Sequence, residues 1–168
     1  KLRGIGMATY VEACAFAGSE PAYAELTPAG RIELKIGTQS NGQGHATAYA
    51  QFVAEALNLD YDLIDVKQGD TDDTPTGGGT GGSRSIPLGA VSVRRASQTL
   101  ADKIKKLAAN ELEASIGDIE LDGGTARIVG TDRSIDFAAI AAATPSAEDR
   151  KAVDEFKQNE ATYPNGTH

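Results

Sequence analysis

Residues 36–57 read IGTQSNGQGHATAYAQFVAEAL, and the spacing of apolar residues changes inside this stretch. Just upstream, Ile32, Leu34 and Ile36 alternate with polar neighbours, the two-residue period of a strand with one buried face. Beyond His45, the residues Tyr49, Phe52, Val53, Ala56 and Leu57 fall at i, i+3, i+4, i+7 and i+8, the stripe of an amphipathic helix. Asn58 stands where that helix should end. Between the two periods lies Asn41-Gly42-Gln43-Gly44, a glycine turn that delivers the chain from a strand to a helix N-terminus.

Working backward, AYAELTP (22–28) and RIELKIG (31–37) flank a turn at Pro28-Ala29-Gly30 and predict a hairpin. The opening GIGMATYVEACAFAG (4–18) is apolar and glycine-punctuated, which predicts a buried strand. Working forward, YDLIDVKQ (61–68) reads as a short strand, followed by the polar GDTDDTPT (69–76) and the run GGGTGGSRS (77–85). Val93, Ala96, Leu100, Ile104, Leu107 and Leu112 then mark a long helix, with Pro87 in its first turn and Ser85 in a capping position. Arg94, Arg95, Lys103, Lys105 and Lys106 form its solvated face. Gly123-Gly124 predicts a second hairpin within 116–130. SIDFAAIAAA (134–143) predicts a last helix started by Ser134 and Asp136. The tail 145–168 is charged and weakly periodic, and is expected to lead into the remainder of a longer chain. Strands and helices alternate irregularly, so the expected class is α+β: short antiparallel strands with two principal helices.

Composition narrows the functions available. A chain of 168 residues with 40% apolar and 24% charged residues suits one packed domain. A net charge of −8 argues against nucleic acid, since no basic patch is present to meet phosphates. No apolar run reaches membrane-spanning length, and the single Cys14 suits a reducing compartment, so cytoplasm is expected. Cys14 itself reads as an inert buried thiol. The Asn165-Gly166-Thr167 sequon would carry no meaning there.

Glycine loses more conformational freedom on folding than any other residue, so two glycine-rich turns need a reason. Each of them precedes a helix. A helix N-terminus carries unpaired N–H groups and partial positive charge, and glycine beside it lets an anion approach. Such a site holds phosphate without basic residues, aided by Gln43, His45 and Thr47 at one turn and Ser83, Arg84 and Ser85 at the other. The alternative is a pair of tight structural turns. Nucleotide fingerprints do not fit. Gly77, Gly79 and Gly82 satisfy G-x-G-x-x-G, but the strand ending near Gln68 is too far upstream. Ser83-Arg84 stands where a P-loop needs Lys and Ser/Thr. Asp70, Asp72 and Asp73 lack the glycine and glutamate of a calcium loop and read as turn formers. His45 and His168 have no partners at zinc-ligand spacing, and no nucleophile elbow supports a Ser-His-Asp triad.

Taken in order, G-Q-G-H-x-T, G-D-T-D and G-S-R-S followed by an Ala-rich helix resemble the molybdenum-binding catalytic subunit of the xanthine oxidase family. The resemblance is closest to the large subunit of aerobic carbon monoxide dehydrogenases, and it runs from GIGMATYVEAC to ATYPNGTH. It implies that the chain is a fragment (1–168) of a molybdopterin-binding domain within a longer catalytic subunit. It further implies that Gln43 hydrogen-bonds a molybdopterin cofactor in its cytosine dinucleotide form, with Gly44, His45 and Thr47 supporting that contact. Thr80, Gly81, Gly82, Ser83, Arg84 and Ser85 would make the second contact, Gly82 lying beside the molybdenum. The family's catalytic Glu and its substrate loop match no residue here. The implied parent oxidises carbon monoxide, an aldehyde or an N-heterocycle with water as oxygen source. Its implied partners are an FAD-binding medium subunit and a 2Fe–2S small subunit in a dimer of heterotrimers. A non-catalytic module that binds a nucleotide or a partner is the alternative expectation.

Overall fold

The structure is a computed structural model, and it describes residues 2–15, 17–74 and 76–163. The expected turn and sequon at 165–167, and His168, lie outside these residues. The hairpin read from alternation is present: β1 (Gly18–Leu26) pairs antiparallel with β2 (Ile32–Ile36). Helix α1 (His45–Leu57) follows and closes on Asn58, whose left-handed backbone is a usual helix stop. Strand β3 (Ile64–Lys67) comes next, and then α2 (Val91–Glu111), entered through a wide π-type turn at Ser85–Ala90. Strands β4 (Ile119–Asp122), β5 (Thr125–Ile128) and β6 (Ser134–Asp136), helix α3 (Phe137–Ala143) and strand β7 (Lys151–Gln158) complete the order.

Four strands form the main sheet in the order β3-β2-β1-β7, and β4-β5-β6 form a smaller one. One face of the main sheet carries Ala22, Ala24, Leu26, Ile32, Leu34 and Ile36, all buried, against α1 and α2. The helices meet this face through Tyr49, Val53 and Leu57 of α1 and Val93, Ala96, Leu100 and Ile104 of α2. Their stripes follow the 3.6-residue period and the strands the 2-residue period, so both hydrophobic sets converge on one core. The small sheet closes the far end of α2, contributing Ile119, Leu121 and Ala126 to the same core. Asn58 ties it to α1: its Nδ2 donates to Leu121 O at 3.1 Å, and its carbonyl accepts from Gly123 N at 2.9 Å.

The mixed α+β class and the two principal helices match the expectation, and several details differ. The main sheet is not purely antiparallel, because β2 and β3 pair in parallel, with α1 as their crossover. Nor are all strands short, since β1 spans nine residues and β7 eight. The charged, weakly periodic tail contains β7, which pairs with β1 from Gly18↔Gln158 to Glu25↔Lys151. Ser134 lies in strand β6 rather than starting the last helix; Asp136 caps α3 by accepting from Ala139 N at 2.7 Å. Ser85 does not cap α2. It is the first residue of the wide turn, whose N-cap position is Arg84; Leu88 N donates to Arg84 O at 3.0 Å, and Pro87 has no N–H to give. The opening segment is no buried strand: residues 2–12 are exposed, with Leu2, Ile5 and Met7 almost wholly so. Apolar composition favours burial, yet a strand also needs a neighbour, and among the described residues none pairs with 2–13.

Candidate cofactor-binding cleft

The first glycine turn reaches α1 through two left-handed residues, Gly42 (φ 106°) and Gly44 (φ 77°). Gly44 occupies the N-cap position and has no side chain to cap with, so the N–H groups of the first helical turn face outward unpaired. Gln43 is exposed beside them, its Oε1 accepting from Asn41 N. His45 is buried, and its Nδ1 has no hydrogen-bond partner. The ring tilts against Tyr49 at 5.8 Å between centroids.

The second turn is built on Gly79 (φ 75°), Gly82 (φ 54°) and Ser83 (φ 57°), all left-handed. Gly82 and Ser83 are the central residues of a tight turn that Arg84 N closes by donating to Gly81 O at 3.3 Å. Thr80 Oγ1 anchors the loop by accepting from Gln39 N at 2.9 Å and donating to Gln39 O at 2.7 Å. It also lies 3.2 Å from Ser85 Oγ. No side chain caps this helical start either.

Tyr49 joins the two turns. Its hydroxyl donates to Ser85 O at 2.8 Å and sits 2.7 Å from Thr38 Oγ1, inside the protein. Burial pushes the phenol above its ordinary value near 10, so it stays protonated and remains a donor. The start of α2 is thereby fixed against the body of α1, and both helical starts open into one cleft of about 510 Å³.

Gln43 and His45 line this cleft from the first turn, and Thr80, Gly81, Ser83, Arg84 and Ser85 from the second. Of the expected residues, Gly44 and Gly82 are exposed in the two turns and do not themselves line the cleft. Thr47 points elsewhere, into a groove with Ala50, Tyr61 and Val66, because two helical positions beyond His45 is the opposite face. Arg84 contributes less than its charge suggests. Its guanidinium bonds Glu20 Oε2 at 2.9 Å, Gly79 O at 2.9 Å and Ser19 O at 2.6 Å, so it faces the protein.

Cys14, Ile86 and Pro87 line the same cleft. Cys14 is half-buried rather than sealed in a strand. It arrives through long-range pairing: its N–H donates to Thr162 O at 2.6 Å, and the next residue, Ala15, donates to Gly82 O at 3.1 Å. No local pattern announces such a contact. Ile86 and Pro87 follow directly on Ser85 and could have been placed by extending the turn one step.

The cleft thus offers backbone N–H groups from two uncapped helix starts, hydroxyls, a carboxamide and an unpartnered buried imidazole nitrogen. This donor set suits a large anionic ligand rich in acceptors, held without lysine or free arginine. Among the described residues, no three His, Cys, Asp or Glu side chains group to hold a metal. The acidic loop at Asp70, Asp72 and Asp73 is a turn, with Asp70 Oδ1 accepting from Asp72 N at 2.9 Å and Asp73 beside Lys35 and Lys67. No helix among the described residues is long and apolar enough to cross a membrane.

The chain is similar to known proteins along most of its length. The chain is 34% identical to the 6-hydroxypseudooxynicotine dehydrogenase complex subunit gamma of Paenarthrobacter nicotinovorans, over 97% of this chain and 22% of that protein. It is 34% identical to the carbon monoxide dehydrogenase large chain of Afipia carboxidovorans, over 85% of this chain and 18% of that one. The fold superposes on reconstituted CO dehydrogenase from Oligotropha carboxidovorans with a TM-score of 0.75 at 30% identity, covering 92% of this chain and 21% of that one. The chain spans about a fifth of the length of these relatives. The family model of the molybdopterin cofactor-binding domain matches residues 1–168. The chain belongs to the molybdopterin cofactor-binding domain family.

Proposed function

We propose that this chain is the cofactor-clasping segment of a longer molybdenum hydroxylase. The observation that carries the reading is the convergence of two uncapped helix starts on one cleft that lacks a free cation. The N–H groups of His45–Thr47 and those of the second turn other than Arg84, whose N–H is given to Gly81 O, would hold the phosphates and pterin of the cofactor, in its cytosine dinucleotide form. Gln43 would hydrogen-bond the cofactor from the first turn. The hydroxyls of Ser83 and Ser85 would complete the contact, and Gly82 would add no side chain to the turn that faces the metal. Bound there, the cofactor supplies redox chemistry that oxidises carbon monoxide, an aldehyde or an N-heterocycle with water as oxygen source. The residues of this chain bind and orient it. The general base, a glutamate in related enzymes, belongs to another part of the parent polypeptide.

The parent works in the cytoplasm with an FAD-binding subunit and a 2Fe–2S subunit, as a dimer of heterotrimers. The names of the relatives support a multi-subunit assembly, since one is a complex subunit and another a large chain. The test is made on the full-length parent purified with its partners. Molybdenum and cytidine nucleotide are expected in about equal amounts per large subunit. Gln43→Ala should lower cofactor content or turnover at least tenfold with the fold preserved. An active preparation free of molybdenum would instead favour the non-catalytic binding module.

A further inference from the structure

A carboxylate lies at the centre of the second turn. Glu20 of β1 is fully buried. Its Oε2 accepts from Gly78 N at 2.8 Å and from Arg84 Nη1 at 2.9 Å, while Oε1 has no partner. Glycines surround the pair. Gly37 and Gly77 pass so close that a Cβ on either would first meet the other's backbone and then Glu20 Oε1, at 2.6 or 2.9 Å, and one on Gly78 would collide with the Arg84 guanidinium. The backbone of Glu20 is held as well, its carbonyl accepting from Ser92 Oγ in the first turn of α2 at 2.6 Å. One residue therefore touches the sheet, the glycine run and the helix that the run leads into.

Buried ion pairs seldom add net stability over apolar residues of the same volume, because both charges must be desolvated. Their use lies in specifying one arrangement, and what this pair specifies is the course of Gly78–Arg84. Arg84 donates to Gly79 O, to Glu20 and to Ser19 O, so both ends of the loop are fastened to one point on β1. The loop between is glycine-rich and would otherwise sample many shapes. We infer that Glu20 is a positioning residue: through Arg84 and the Gly78 N–H it fixes the shape that turns the loop's N–H groups toward the cleft. This rests on the proposed cofactor function and adds to it a residue that never touches the ligand.

The test compares the full-length parent, with its partners, against a charge-free pair, Glu20→Leu with Arg84→Met. Molybdenum and pterin per large subunit are measured, with amide hydrogen exchange of the stripped protein and its thermal midpoint. The expected result is an unchanged midpoint and unchanged exchange in α2, with at least tenfold faster exchange at Gly78–Ser83 and at least tenfold lower cofactor content. Cofactor content and loop exchange equal to wild type would overturn the assignment. Should the double variant not fold, Glu20→Asp keeps the charge and shortens the reach by one methylene. It should lose cofactor several-fold with the exchange change confined to the loop; wild-type values for both would again overturn the assignment. A wild-type parent without molybdenum or pterin would defeat the proposed function instead, and the exchange at Gly78–Ser83 would still judge Glu20.

Discussion

Tyr49 shows how one side chain can belong both to a core and to a site. Its ring fills the space between α1 and the sheet, and its hydroxyl fixes the first carbonyl of the wide turn before α2. Gly89 stands opposite, and a Cβ there would lie 2.8 Å from the phenol oxygen, so the contact needs glycine at that position. Tyr49→Phe keeps the packing and leaves Ser85 O and the Thr38 hydroxyl without this partner. It should cost about 1–2 kcal/mol in urea unfolding and loosen the second turn without disturbing α1. The same hydroxyl sets a pH dependence. Because burial raises its pKa in the fold, its contribution is complete below the ordinary tyrosine value near 10 and is lost as pH rises through the folded-state value. Alkaline unfolding should therefore begin just above pH 10, as the unfolded chain ionises first, and the Phe variant should lack that component. Equal alkaline curves for the two proteins would contradict this role.

At the scale of elements, legibility followed how local the determining forces are. The hairpin at Thr27–Arg31, the stripe of α1 with its stop at Asn58, and the core face of α2 all rest on periodicity and turn chemistry within a few residues, and the structure contains them. Strand β7 was hidden because its own alternation is thin. Val153 faces outward while Asp154 and Gln158 face inward, and only the open edge of β1 makes the segment a strand. The apolar opening failed in the opposite way, since its composition promises burial while no described element lies beside it. Asp136 was readable as a helix start because a cap is a contact across three residues. Asp136→Ala should lower stability by about 1 kcal/mol in denaturant unfolding, with no change in cofactor content. A neutral effect on stability would mean that packing of Phe137 and Ile140 alone holds α3.

For the molecule as a whole, the charge of −8 and the cleft belong to one design. On the proposed function, an acidic domain binds an anionic cofactor through backbone N–H groups, whose direction the fold sets and whose charge no titration removes. The two turns were legible as helix starts, and their residues as candidate donors. That both open into one cleft was not, since it depends on α1 and α2 packing side by side and on Tyr49 between them. Glu20 was invisible for the same reason: it lies 58 residues from Gly78 in sequence and 2.8 Å from it in space.

On the proposed function, the two turns form a single cradle for one ligand. Amide hydrogen exchange on the full-length parent, with cofactor and after its removal, tests this most directly. Loading should slow exchange at His45–Thr47 and at Thr80–Ser85 together, by about tenfold or more, with little change at the second hairpin, Ile119–Ile128. Protection at only one turn, or at neither, would contradict the account.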